Sequence, residues 1–334
     1  MRAVVVIPTW NARSLLAETL RSVEAQTVPV EIVVVDNAST DGTAELLATT
    51  FPRVTVVHNP SNVGFGRAIN RGVQAAVGAD VIVLVNNDAV CAPDFVERLL
   101  EPFADGRIGM VAGVLLQGSA PELVDSAGIE LDTTLRSWDM LWNRPLEELD
   151  RAAEPVGPCG GAAAYRADAF VEIGGFDEQF FAYWEDVDLA LRFGLAGWGC
   201  ARALGARALH RHGATLGAAS PAQRRLEAYG RAYVLAKYGV ARSGMLMRAK
   251  IAVLDWPVLM IHLLVRREVG PLRARAAGRR DGLAATTLRA PLELATVGFR
   301  EAVGRQVGLL RLRLTGALPE HFGDHAAPGD GTPD

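Results

Sequence analysis

Two apolar runs in the first ninety residues each deliver a carboxylate: Ile32-Val33-Val34-Val35 ends in Asp36, and Val81-Ile82-Val83-Leu84-Val85 ends in Asn86-Asn87-Asp88. In open α/β sheets ligands bind beyond the carboxyl ends of the strands, so two acids at such ends predict one shared site. Asp36 can accept the ring N–H of a pyrimidine base, with the Trp10 indole as a stacking surface. Alternatively it caps the helix that Ser39-Thr40-Asp41 announces. Asp88 is the hard oxygen ligand that Mg²⁺ or Mn²⁺ takes together with diphosphate oxygens, although a plain turn would also accept Asn-Asn-Asp. The pairing argues for an enzyme that handles a nucleotide and a metal.

A third acidic cluster, Trp184-Glu185-Asp186-Val187-Asp188, crowds what reads as the first turn of a helix. A helix N-terminus favours the ionised carboxylate, the form a general base needs; the same acids would also simply complement the dipole in solvent. Downstream, Ala208-Leu209-His210-Arg211-His212 sets two imidazoles after a short apolar run, as metal ligands or as packed or surface residues. In Asn62-Val63-Gly64-Phe65-Gly66-Arg67-Ala68-Ile69-Asn70, two glycines ahead of a helix let backbone approach a phosphate. Ile69, however, stands where the dinucleotide fingerprint needs glycine. The small-residue segment 157–165, with Gly160 and Gly161, permits close approach of a ligand or tight packing on another strand.

These residues need a scaffold, and the chain alternates strand-like and helix-like stretches. Strand patterns at 4–7, 31–35, 54–57 and 81–85 are followed by helical patterns at 14–25, 41–49, 66–76 and 93–103. Near-continuous apolar strands in such alternation predict an α/β fold with a mostly parallel central sheet flanked by helices. Residues 108–116 read as a further strand, and 125–142 as a hairpin or an acceptor-side loop. Residues 222–315 read as helical, and the stretch from 319 lacks periodicity and is expected to be disordered.

The composition, 50% hydrophobic and 22% charged over 334 residues, is that of a globular protein. Residues 221–334 carry 18 Lys/Arg against 10 Asp/Glu, whereas the first 220 carry 16 against 28. An acidic front argues against nucleic-acid binding, which needs a clustered positive surface. The three cysteines are scattered, without metal-ligand spacing, and Met1-Arg2 runs straight into the first strand. Both features predict a cytoplasmic protein.

In order along the chain, Ile7-Pro8-Thr9-Trp10-Asn11, Val35-Asp36-Asn37-Ala38-Ser39-Thr40-Asp41-Gly42, Asn62-x-Gly64-Phe65 with Asn70, Asn86-Asn87-Asp88, and Trp184-Glu185-Asp186 resemble the family 2 glycosyltransferases. The likeness covers about residues 3–215 and is nearest to the bacterial rhamnosyltransferase-like branch. It implies a GT-A fold over 1–220, with a nucleotide-sugar part at about 1–105 and an acceptor part at about 106–220. A helical, basic region at 221–318 and a disordered tail at 319–334 complete the expected organisation. The implied chemistry is an inverting displacement dependent on a divalent ion, Mg²⁺ or Mn²⁺. Asp36 would read the base beside Pro8, Thr9, Trp10 and Asn11. Asn37, Asn62, Gly64, Arg67, Asn70 and Asn87 would line the donor site, and Asp88 would hold the metal. Asp186 would deprotonate the acceptor hydroxyl with Glu185 beside it, and Gly160, Gly161 and Trp184 would face the acceptor. His210, or alternatively His212, would complete the metal shell. Trp10 stands where Tyr is commoner in the family. Asn86 replaces the first carboxylate of the Asp-x-Asp motif, which throws more weight on His210.

The expected reaction is transfer of a sugar, L-rhamnose first, from a dTDP- or UDP-linked donor to a polyprenyl-diphosphate-linked saccharide in cell-wall or surface polysaccharide synthesis. A sugar nucleotidyltransferase would instead need a basic, Gly-rich loop where Pro8-Thr9-Trp10-Asn11 stands, and a non-catalytic nucleotide-sugar-binding scaffold would not need the Glu185-Asp186 pair. The apolar run 251–265, interrupted by Asp255, Pro257 and His262 and flanked by Arg248, Lys250, Arg266 and Arg267, is too short to span a bilayer. With Arg273, Arg275, Arg279 and Arg280 it suggests peripheral contact with the inner face of the cell membrane, a solvated basic face or an oligomer contact.

Overall fold

The structure is a computed structural model that describes residues 1–211 and 220–315. The chain falls into two compact units, one of residues 1–211 with 291–296, the other of the described residues of 212–290 and 297–334.

The first unit opens with the expected alternation: β1 (Ala3–Thr9), α1 (Arg13–Glu24), β2 (Val30–Asp36), α2 (Thr43–Thr50), β3 (Thr55–His58), α3 (Phe65–Ala75), β4 (Val81–Val85), a short β5 (Ala89–Cys91) and α4 (Phe95–Leu100). Valine and isoleucine fill these strands because branched side chains suit a pleated surface packed on both sides, and every residue of β4 is buried. Helix α3 lies close over β1 and β2, since a Cβ on Gly72 would stand 2.4 Å from Val6 Cγ1.

Next come β6 (Ile108–Gln117), β7 (Ala120–Ser126), the small hairpin β8 (Ile129–Leu131) and β9 (Ser137–Asp139), β10 (Ala162–Arg166), α5 (Ala167–Glu172), α6 (Glu185–Leu195) and β11 (Gly199–His210). The central sheet runs β3-β2-β1-β4-β10-β6-β11-β5, with β7 paired to β6. Strands β3, β2, β1 and β4 are mutually parallel. Beyond β4 the sheet, expected to be mostly parallel, is mixed: β10 runs antiparallel to both β4 and β6, and β11 runs parallel to β6 and antiparallel to β5. The cause lies in the connections. The chain reaches β10 by way of β5, α4 and β6 to β9 rather than by a single helical crossover from β4, and it enters β10 at the carboxyl end of β4, with Ala162 opposite Val85.

The consequence is one functional edge. The ends of β1, β2 and β4, the start of β10 and the ends of β6 and β11 all emerge on the same side of the sheet. Beneath it, Tyr165, Phe170, Phe176 and Phe193 join Val6, Val35, Ile69 and Leu84 in one buried cluster that fixes α3, α5 and α6 against the strands.

The second unit is helical: α7 (Pro221–Lys237), α8 (Met245–Met260), α9 (Gly270–Ala284) and α10 (Phe299–Thr315). Helices α7 and α9 approach closely through two glycines one turn apart. A Cβ on Gly278 would meet the Tyr229 carbonyl at 2.2 Å, and one on Gly282 the Tyr233 carbonyl at 2.5 Å.

Candidate active site

Thr9 and Asp36 are register partners at the ends of β1 and β2, and both are buried. Asp36 Oδ1 accepts from the Ser39 N–H at 3.0 Å, and Oδ2 lies 3.4 Å from His58 Nδ1, its neighbour on β3. Helix α2 begins behind Gly42, so Asp36 is not its cap. Pro8 sits within β1 beside Val35, and Trp10 follows half-buried. Asn11, with φ of 48°, takes the Thr40 N–H at 2.8 Å and donates its own N–H to Ser39 Oγ at 2.9 Å, which fastens the β1 and β2 loops together.

A buried amide relay braces this edge. Asn37 Nδ2 donates to the Gly64 carbonyl at 3.4 Å, Asn59 Nδ2 donates to Asn37 Oδ1 at 2.7 Å, and Arg71 donates to Asn59 Oδ1. Gly64 receives a second brace, its N–H donating to Asn62 Oδ1 at 3.0 Å. Its φ is +86°, and a Cβ there would stand 2.3 Å from the Phe181 carbonyl oxygen, the acceptor of the Phe65 N–H. Gly64→Ala is therefore expected to lower stability by about 1–3 kcal/mol through backbone strain alone, seen as a lower denaturant midpoint. On α3, Arg67 pairs with Glu178 at 2.8 Å, and Asn70 binds both the N–H and the C=O of Phe176 at 2.9 Å. Both side chains hold the loop that leads to α6.

At the end of β4 the three polar residues diverge. Asn87 Nδ2 donates to Thr9 Oγ1 at 3.0 Å, joining β4 to β1. Asn86 donates its N–H to the Gly161 carbonyl and sets its amide nitrogen 3.4 Å from His210 Nε2. Asp88 Oδ1 is buried without a hydrogen bond, 3.2 Å from the same Nε2. His210 comes into reach because β11 pairs with β5, which puts it opposite Ala89. Its other nitrogen, Nδ1, is 2.6 Å from Asp125 Oδ2 on β7. Burial alone would lower the pKa of His210, but Asp88 and Asp125 outweigh it and push it up to about 10. His212 lies outside the described residues.

The donor set suits a divalent cation. Two ligands about 2.0–2.1 Å from an octahedral ion and at right angles stand about 3 Å apart. Asp88 Oδ1 and His210 Nε2 meet that requirement at 3.2 Å. Asp125 is placed as the outer partner that orients a ligating imidazole. Among the described residues no three His, Cys, Asp or Glu side chains gather about one point, so substrate and water oxygens would have to complete the shell.

Helix α6 carries the other acids. It starts after Tyr183 and Trp184, two consecutive non-glycine residues with φ of 68° and 77°. Such left-handed backbone is costly and concentrates at functional sites. Asp186 remains partly exposed and faces the start of β10, where its Oδ2 is 3.4 Å from the Gly160 nitrogen. Both glycines there are tightly packed: a Cβ on Gly160 would press on the Phe65 ring at 3.1 Å, and one on Gly161 on Asn86 Nδ2 at 3.0 Å. Asp186 is thus linked through Gly160 and Gly161 to Asn86, and through Asn86 to His210 and Asp88. Glu185 turns the other way, buried under α3 near Gly66, with Oε2 lacking a hydrogen bond. Asp188 is fully buried and paired with Arg192 at 2.8 Å.

Desolvation raises the pKa of Asp186, and desolvation with the charge of Asp186 pushes Glu185 up to about 8. A buried acid whose folded pKa exceeds its unfolded value stabilises the fold fully below the unfolded pKa, and that contribution fades as pH rises toward the folded one. Between pH 4.5 and about 8 the wild type should therefore lose stability that Glu185→Gln retains. Melting temperatures of the two proteins across this window test the sign: the variant's advantage must grow with pH.

Asp125, Asn59 and Arg71 escape sequence reasoning. They sit in unremarkable polar contexts, and only the pairing of β7, β6 and β11 and the packing of α3 bring them to the site.

A sequence model described as Glycosyl transferase family 2 matches residues 4–174, just over half of the chain. The chain is 29% identical to the N-acetylglucosaminyl-diphospho-decaprenol L-rhamnosyltransferase of Mycobacterium tuberculosis, over 58% of this chain and 71% of that protein. It is 28% identical to the O-antigen chain rhamnosyltransferase RfbN of Salmonella typhimurium, over 64% and 68% respectively. Among solved structures, the mannosyltransferase PcManGT of Pyrobaculum calidifontis, in complex with GDP-Man and Mn²⁺, superposes with a TM-score of 0.53 at 20% identity, over 96% of this chain and 81% of that one. GalNAc-T7 with UDP, GalNAc and Mn²⁺ gives 0.54 at 17% identity, over 73% and 52%. The shared architecture is the GT-A fold. With its strand-end acids and α6 acids on that scaffold, the chain belongs to glycosyl transferase family 2 and is a glycosyltransferase.

Proposed function

We propose that the protein is an inverting, divalent-metal-dependent transferase that moves L-rhamnose from dTDP-rhamnose, or a related sugar from UDP, to a polyprenyl-diphosphate-linked saccharide. It would work as a peripheral protein at the cytoplasmic face of the membrane. The observation that carries the reading is the placement of a partly exposed carboxylate, Asp186, across the β10 glycines from the Asp88–His210 pair. The named activities of the mycobacterial and Salmonella relatives support rhamnose as the sugar, and the mycobacterial name supports a lipid-diphosphate acceptor.

Asp36 would accept the base N–H at the end of β2 while Trp10 offers its ring. Asp88 and His210 would hold the cation. When bound, it supplies electrostatic stabilisation of charge on the departing diphosphate. Asp186 would take the acceptor hydroxyl proton as the oxygen attacks the anomeric carbon from the face opposite the leaving group. Glu185, turned into the protein, would fix the start of α6. Gly160 would hold Asp186 through its N–H, and Trp184 would border the acceptor.

A thermal-shift screen of dTDP, UDP and GDP with and without Mn²⁺ tests the donor assignment, because a ligand bound only by the folded state raises apparent stability. Stabilisation by dTDP or UDP but not GDP is expected. An equal response to GDP would remove Asp36 as a reader of the base. Asp125→Asn, which keeps the shape but weakens the brace on His210, should reduce Mn²⁺ affinity about 10–100-fold by calorimetry.

A further inference from the structure

Helix α8 of the second unit continues through a π-helical turn at Ile261–Val265, and the combined rod buries polar residues while it exposes several large apolar ones. Two of its polar residues, Asp255 and His262, point inward. Asp255 is buried and paired with Arg231 at 3.3 Å and with Arg275, and His262 is buried near Glu268. Ile251 and Leu254 are buried with them, but four large apolar residues point outward: Leu246 is 73% exposed, Val253 50%, Trp256 59% and Leu264 69%. At 100° per residue Leu246 and Val253 fall within about 20° of one line of the helix with Trp256 on its flank, and the wider π-helical turn carries Leu264 from that line toward the Trp256 side. A soluble surface helix shows the opposite arrangement, and a contiguous exposed apolar ridge marks an interaction site.

Exposed arginines stand at both ends of this ridge, Arg242 before it, Arg248 two residues past its first member Leu246, and Arg266 and Arg267 after it. A second copy of the chain would bring arginines against arginines whether the rods paired parallel or antiparallel, and like charges so placed repel. An anionic lipid surface neutralises both ends at once and accepts the apolar ridge between them. No described helix is long and apolar enough to cross a membrane, so the rod would lie along the interface.

We infer that this face of the second unit is a membrane-docking surface, with Leu246, Val253, Trp256 and Leu264 entering the acyl boundary and the flanking arginines on anionic headgroups. It gives the proposed lipid-linked acceptor a physical route to the enzyme, and in that purpose it rests on the proposed function.

Co-sedimentation of the full chain with vesicles of phosphatidylcholine alone or mixed with phosphatidylglycerol tests it. Binding to the mixed vesicles is expected, with little to phosphatidylcholine. Arg266→Glu with Arg267→Glu should weaken it at least fivefold for each basic residue lost, the equivalent of about 1 kcal/mol each. Trp256→Glu with Leu264→Glu should abolish it, while sugar transfer to a water-soluble acceptor stays at the wild-type level. Absence of binding to the anionic vesicles, or unchanged binding by the Trp256/Leu264 variant, overturns the inference. So does self-association that the same variant abolishes in a wild type indifferent to vesicles. Transfer to the soluble acceptor is read separately, so failed docking with intact transfer leaves the enzymatic reading standing, and docking without transfer does the reverse.

Discussion

Asp186→Asn is expected to lower kcat by about 10²–10⁴-fold, the usual contribution of a positioned general base, with donor affinity nearly unchanged. The substitution keeps the size of the side chain and an oxygen for the Gly160 N–H, but removes the ability to hold a proton at neutral pH. The pH profile sharpens the test. Desolvation raises the Asp186 pKa, so the basic form is gained only as pH climbs past a value above the ordinary aspartate range. Wild-type kcat/KM should therefore fall on the acid side well before ordinary carboxylates protonate, and the residual activity of the variant should lack that limb. Donor dissociation constants, measured alongside kcat, separate loss of the base from loss of the fold.

Asp88→Ala should have the second largest effect, a fall in transfer on the order of 10²–10³-fold, comparable to removing a main electrostatic stabiliser of a developing charge. Its Oδ1 has no hydrogen bond, but its charge faces the buried His210 imidazole at 3.2 Å, so the variant should also lose some stability at neutral pH. The signature is the response to metal: stabilisation by dTDP or UDP, measured against the variant's own melting temperature, should no longer increase when Mn²⁺ is added. His210 would retain its Asp125 partner in this variant, which makes it a cleaner test than a change at His210.

The sequence was legible where a single element carries both the structural and the chemical signal. The strands ending at Asp36 and at Asn86-Asn87-Asp88 are runs of buried β-branched and aliphatic residues, so each acid could be placed at a strand end before any fold was seen. Helix α6 was readable from its acid-rich first turn. Strand β11 was not, because Gly199-Cys200-Ala201-Arg202-Ala203-Leu204-Gly205 has no alternation and the strand is irregular between Arg202 and Arg207. Only its pairing with β5 makes His210 a neighbour of Asp88. Asp125 was invisible for the same reason: 85 residues separate it from His210, and no local pattern encodes that contact. Glu185 and Asp186 read as one acidic pair in the sequence, yet successive positions on a helix point about 100° apart. One accordingly faces the β10 glycines and the other the underside of α3.

The most direct measurement is the anomeric configuration of the sugar in the product, determined by NMR after transfer from a donor of known configuration. A single displacement with Asp186 as base and the diphosphate leaving from the opposite face predicts that wild-type product is inverted throughout. Product that retains the donor's configuration would contradict the roles given to both Asp186 and Asp88.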